Sequence, residues 1–171
     1  MSEMTEQFFD KGEGIYDFGD EFLIVCPRCA SMAKVLPLGN FGMLSRRKLI
    51  CSNCGYCKPT NMMKNSGRTA SIEFSNQKNT KSYIVIGGAF DWYFREPLWL
   101  QTECCSEMLW AYNKAHFEFI ENYVAAKLRA RTPNVNKSLA SCLPQWIKSA
   151  KNRDEILKAI NKLRDKLNGK S

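Results

Sequence analysis

Residues 22–56 read FLIVCPRCASMAKVLPLGNFGMLSRRKLICSNCGY, and two Cys-x-x-C steps, Cys26-Pro-Arg-Cys29 and Cys51-Ser-Asn-Cys54, organise that stretch. A chain that reverses within four residues can place both sulfurs of one step about 2.3 Å from a zinc ion, and two such steps complete a tetrahedron. Pro27 fixes the first turn, and Gly55 follows the second pair as a residue free to take left-handed backbone. Short apolar runs at 22–25, 33–37 and 48–51 stand beside the pairs and predict strands. The segment 30–50 between the pairs is slightly longer than the usual spacing of about 15–20 residues. The surplus falls in a loop at Gly39-Asn-Phe-Gly42. This pattern predicts one structural zinc site formed by Cys26, Cys29, Cys51 and Cys54; four thiols without metal are the alternative.

Working outward, the chain has 171 residues, 44% hydrophobic and 25% charged. That suffices for one ordinary core, or for a small module attached to a compact domain, and excludes two large domains. The first ten residues are acidic where a signal peptide is basic, and no apolar run approaches the roughly 18 residues of a membrane helix. The expectation is a cytoplasmic protein without a membrane partner. Eight cysteines in a reducing compartment, four of them in paired steps, point to metal rather than disulfides.

At the two cysteine pairs the chain resembles the zinc-ribbon family, in particular the TFIIB-type ribbons of transcription factors and of small bacterial proteins. The resemblance covers about residues 22–60. It implies that Cys26, Cys29, Cys51 and Cys54 are the ligands of a site with no open coordination position. Ribbons of this type contact nucleic acid, polymerase subunits or other proteins, so the resemblance narrows function little.

Charge is uneven along the chain, whose formal net charge is +8. Residues 1–21 hold seven acids against Lys11, whereas from Lys127 onward twelve bases face Asp154, Glu155 and Asp165. A basic C-terminal part invites a polyanion. Candidate phosphate contacts are Arg46, Arg47 and Lys48 at the base of the cysteine hairpin, and Lys158, Lys162 and Lys166 on one side of a C-terminal helix. A solvated charged face is the competing reading of both groups.

The remaining segments predict an α+β fold. Residues 1–21 read as an acidic, loosely ordered segment, 22–60 as the zinc module and 61–81 as a polar linker around Asn65-Ser-Gly67, with a weak strand at 70–74. Residues 82–171 read as a β segment followed by helices. Strands are expected at 83–86, 98–100 and 108–112. A first helix runs from Asn113 through Phe117, Ile120, Val124 and Leu128, stopped by Pro133. A second starts near Asn136 or Ser138 and is kinked or shortened by Pro144, and a third starts at Asn152 with Glu155 at N3, an approximate capping box.

Cys104 and Cys105, with Cys57, Cys142 and the lone His116, form a further constellation. Adjacent cysteines on a strand point to opposite faces, which favours buried structural thiols over a second metal site with His116 or a nucleophile assisted by it. The cluster Phe90, Trp92, Tyr93, Phe94, Trp99 and Trp110 reads as core in preference to a base-stacking platform. No phosphate loop, nucleophile elbow or His-x-Glu signature is present, and no small-molecule substrate is predicted. The function expected is a zinc-stabilised, non-enzymatic adaptor or regulator that binds nucleic acid or a nucleic-acid-associated protein. A pure protein-interaction module and a cysteine-dependent enzyme using Cys104 or Cys105 are the alternatives.

Overall fold

The computed structural model describes residues 7–39, 45–60, 62–66, 69–73, 81–83, 86–131 and 138–169. In chain order the strands are β1 (Gln7–Asp10), β2 (Phe22–Val25), β3 (Met32–Leu38), β4 (Arg46–Ile50), β5 (Cys57–Pro59) and β6 (Met62–Ser66). They continue with β7 (Thr69–Glu73), β8 (Lys81–Tyr83), β9 (Leu100–Cys104), β10 (Glu107–Ala111) and β11 (Leu128–Arg131). The helices are α1 (Lys114–Ala125), α2 (Leu139–Cys142), α3 (Gln145–Lys148) and α4 (Arg153–Leu167). The fold class is α+β, with antiparallel strands dominating the N-terminal half and helices the C-terminal end.

The chain divides into two compact units, one made of residues 1–18 and 100–171, the other of residues 19–99. This division differs from the expected one, because the acidic N-terminal segment belongs to the same unit as the C-terminal helices. Residues 61–81 are also more than a linker, since β6, β7 and β8 form a three-stranded antiparallel sheet. Of the elements expected from sequence, residues 40–44, Gly67, Phe74, Ile84, Val85, Pro133 and Asn136 lie outside the described residues.

In the unit formed by residues 19–99, β2, β3, β4 and β5 make a four-stranded antiparallel sheet in chain order. Phe22 pairs with Val35, Ile24 with Ala33 and Val35 with Leu49, so one face collects the apolar side chains. All five are buried. Residues 97–99 cover the free edge of β2 through Val25 N–H to Pro97 O and Trp99 N–H to Leu23 O, both 2.8 Å. Trp92 and Tyr93 reach the same core, edge-on to Phe22 at 5.1 and 5.8 Å. Asp91 shapes the turn that delivers them by accepting from the backbone N–H groups of Tyr93, Phe94 and Glu96. The aromatic cluster is thus core at Trp92 and Tyr93, whereas Phe90 is exposed.

In the other unit, β1 pairs in parallel with β11, and β9 with β10 in a two-stranded hairpin. Phe8 of β1 meets Phe119 and Tyr123 of α1 at 5.4 and 5.3 Å. Asn113 caps α1, its side-chain oxygen accepting from His116 N–H and its amide donating to Phe18 O. The helix ends at Ala125, before the expected Leu128: Ala126 is extended, and Arg153 Nη2 donates to its carbonyl at 3.0 Å. Leu128 belongs to a strand and is 65% exposed. Pro144 divides the second predicted helix into α2 and α3, with Ser138 as the cap of α2. The amphipathic α4 buries Ile156, Ala159, Ile160 and Leu163, and its Arg164 forms an ion pair with Glu121 of α1. Asn152 precedes α4 without a side-chain cap bond, and Glu155 reaches Cys105 instead of closing a capping box. No helix among the described residues is long and apolar enough to cross a membrane.

Candidate metal centre

The two cysteine pairs sit at the ends of β2 and β4, where each strand turns back. Both turns use the same bonds. Cys26 N–H donates to Ser31 O and Ala30 N–H to Cys26 O; Cys51 N–H donates to Tyr56 O and Gly55 N–H to Cys51 O, all between 2.8 and 3.0 Å. Because β3 and β4 are paired, the two turns face one another. Cys26 and Cys51 are buried, and Cys29 and Cys54 partly so.

The four sulfurs lie within 4.8 Å of one another. Cys26 and Cys54 sulfurs are 3.7 Å apart, and Cys29 and Cys51 sulfurs 3.6 Å apart. Metal–sulfur bonds of about 2.3 Å around a tetrahedral ion require edges of about 3.8 Å, so this donor set fits such an ion with little rearrangement. Four thiolates fill a tetrahedron, which leaves no position for substrate or reactive water.

The surroundings orient the sulfurs. Arg28 N–H points to Cys26 Sγ at 3.4 Å. Asn53 Nδ2 is 3.6 Å from Cys29 Sγ and 3.1 Å from Ser31 Oγ, bracing the first turn with a side chain from the second. The Asn53 amide, followed by Ser31, draws the Cys29 thiol down to about 6. Cys54 is favoured as thiolate by the Tyr56 N–H, yet burial and the neighbouring sulfurs of Cys29, Cys51 and Cys26 push it up to about 12. Four thiols this close oppose sharing negative charge, and a cation between them removes that opposition. Asn53 and Ser31 were not singled out from sequence; their place within or just after each Cys-x-x-C is the signal that marks them.

The predicted phosphate contacts divide. Arg46 is exposed and Lys48 half-buried, but Arg47 is only 1% exposed and corrects the expectation for that residue. Alternation along β4 turns Arg47 inward with Leu49. There its Nη1 donates to Asp20 O at 2.7 Å, its guanidinium lies 4.7 Å from the Tyr93 ring centre, and Thr60 holds its backbone on both sides. Lys158 and Lys162 are exposed on α4, and Lys166 is half-buried.

The second constellation is also rearranged. His116 is 1% exposed, stacks on Phe18 at 5.0 Å, and accepts from Tyr112 N–H through Nδ1. Burial lowers its pKa to about 3, which makes it a neutral core residue and not a base for a nucleophile. Cys104 is pushed up to about 12, chiefly by burial, the reverse of an activated thiol. Cys57 and Cys142 are exposed, contrary to the buried role expected for them. Cys104 and Cys105 do come together, with sulfurs 3.5 Å apart.

Set against models of known protein families, curated proteins and solved structures, the chain matches none of them.

Proposed function

We propose that Cys26, Cys29, Cys51 and Cys54 hold one structural zinc ion in a zinc-ribbon module, and that the protein is a non-enzymatic adaptor or regulator binding nucleic acid. The observation that carries the zinc reading is the closed set of four sulfurs at near-tetrahedral spacing, with Asn53 and Arg28 N–H directed at them. Zinc is borderline-soft, has no preferred d-electron geometry and is at home in four thiolates. A full coordination shell gives the metal a folding role. Polyanion binding draws support from the exposed Arg46 on β4 and from Lys158 and Lys162 on the solvent side of α4, opposite Ile156 and Ile160. Arg47 takes no part.

Elemental analysis tests the first half: Cys26→Ser or Cys51→Ser removes one equivalent of zinc, and retention of that equivalent sinks the site. A salt titration tests the second. Each phosphate contact contributes about 0.9 to the log-log salt slope on duplex DNA, so replacing Lys158, Lys162 and Lys166 by Gln flattens the slope while the four-cysteine cluster keeps its zinc. No binding by the wild type to duplex or single strand at low salt ends the nucleic-acid reading. A protein partner would then take its place, a reading favoured by Phe9 and Leu128, large apolar residues 64% and 65% exposed in the paired strands β1 and β11.

A further inference from the structure

The β9–β10 hairpin turns through two residues, Cys105 and Ser106, because Glu107 pairs directly with Cys104. Both turn residues have left-handed backbone, φ 56° and 60°. Two-residue hairpins of this hand normally use Asn-Gly or Gly-Gly, since a side chain in that conformation costs roughly 1–2 kcal/mol per residue. Here two residues with side chains occupy it. On a continuing strand the Cys105 side chain would point away from Cys104; the left-handed turn swings it back until the sulfurs are 3.5 Å apart.

A third donor joins them. Glu155, in the first turn of α4, accepts from Cys105 N–H through Oε1 at 2.7 Å. The two sulfurs and a Glu155 carboxylate oxygen all lie within 4.8 Å of one another. Cys104 is buried, Cys105 partly exposed and Glu155 exposed, and the group opens on a surface pocket also lined by Glu103, Ser106, Glu107 and Met108. Lys162, two turns along α4 from Glu155, places positive charge near Cys104.

We propose that Cys104 Sγ, Cys105 Sγ and the Glu155 carboxylate form a second metal site, for a zinc-class divalent ion, with the fourth position open to water or a ligand. Two thiolates select a borderline or soft ion and exclude magnesium and calcium, while the carboxylate suits zinc better than copper(I). The sulfur separation is slightly shorter than the roughly 3.8 Å edge of a zinc tetrahedron, so a small opening of the turn seats the ion. Two thiolates and a carboxylate exceed the ion's charge by one, and Lys162 offsets the excess. Unlike the four-cysteine cluster, this site has three protein donors and a solvent face, the composition of sites in which a metal binds an outside molecule. The left-handed backbone at Cys105 and Ser106 is the conformation that brings the donors together, and the bound ion offsets its cost.

The test uses the full-length chain, freed of metal by chelation under reductant and titrated with zinc under native mass spectrometry. Wild type takes up two ions. The C26S/C51S variant takes up one, bound by the second site. The C104S/C105S variant also takes up one, now at the four-cysteine cluster. E155Q, which keeps a side-chain oxygen to accept from Cys105 N–H but loses the charge, still takes up two, with the second at least tenfold weaker. Cobalt(II) added to C26S/C51S develops a sulfur-to-cobalt absorption band that is missing when Cys104 and Cys105 are also serine. Saturation of wild type at one ion overturns the site, as does a second ion retained by C104S/C105S. A Cys104–Cys105 disulfide in protein kept under reductant overturns it as well.

Discussion

Ala30 and Gly55 occupy the same place in the two cysteine turns: each follows the second cysteine, each has left-handed backbone (φ 58° and 70°), and each donates its N–H to the first cysteine's carbonyl. The two positions carry different residues, however. The Gly55 position meets no atom within 4 Å where a Cβ would stand, so backbone conformation alone sets the preference there.

The two positions therefore respond oppositely to exchange. Gly55→Ala places a side chain in left-handed backbone and costs about 1 kcal/mol. Ala30→Gly relieves the same penalty, less the entropy glycine loses on folding, and gains about 0.5 kcal/mol. Urea denaturation of the variants, measured with and without added zinc, gives both signs; equal signs would show that the turns are not equivalent.

Arg46 and Arg47 are neighbours with opposite fates. Removal of the Arg47 guanidinium takes away its bond to Asp20 O and its place over Tyr93, so Arg47→Met lowers stability by about 3 kcal/mol. Lysine is no substitute, having no planar fork to lie against the ring. Arg46→Gln changes stability by less than about 0.5 kcal/mol and, on the proposed polyanion-binding function, lowers the salt slope of binding. Thermal melts and a salt titration on the two single variants separate the roles.

His116 makes the unit formed by residues 1–18 and 100–171 sensitive to acid. Its folded pKa is held near 3 by burial, against 6.5 when exposed, so below 6.5 the unfolded chain binds the proton and the folded chain does not. The stability this residue contributes is whole above pH 6.5 and declines by up to about 1.4 kcal/mol per pH unit towards pH 3. His116→Gln keeps an acceptor for Tyr112 N–H without titrating. The difference between wild-type and variant denaturation midpoints at pH 7.5, 6 and 5 isolates the slope, and a difference independent of pH would contradict a neutral buried imidazole.

What could be read from the sequence follows the strength of local constraint. The cysteine steps were legible because ligand geometry allows few backbone paths, and β2, β3 and β4 follow from apolar runs beside them. The alternation of Thr69 to Glu73 marks β7, which the sequence shows as a weak strand at 70–74, and β8 meets the strand expected at 83–86 only at Tyr83, whereas β6 is masked by the turn chemistry of Asn65-Ser-Gly67. Leu128 prolongs the apolar period of α1 by one beat, so only the arrival of Arg153 at the Ala126 carbonyl marks where the helix stops. Arg47 was hidden inside a basic triplet, although its position two residues before Leu49 on an alternating strand points inward. Cys104 and Cys105 would point to opposite faces of a continuing strand, but Cys105 begins a left-handed turn that brings the two sulfurs together.

The pairing of β1 with β11 encloses the whole of the other unit in the chain: Ser138 bonds to Asp10 across 128 residues of sequence. During synthesis at about 5–20 residues per second, residues 19–99 emerge before β11 exists and, with the proposed metal site, can take up an ion and fold while β1 waits without a partner. A folded insert no longer counts as free chain in the loop that β1 and β11 must close, and closure becomes less costly in entropy. On the proposed metal site, metal supply sets the maturation rate of strands that contain none of the four cysteines, and chains starved of that ion accumulate with a first strand that has nothing to pair with.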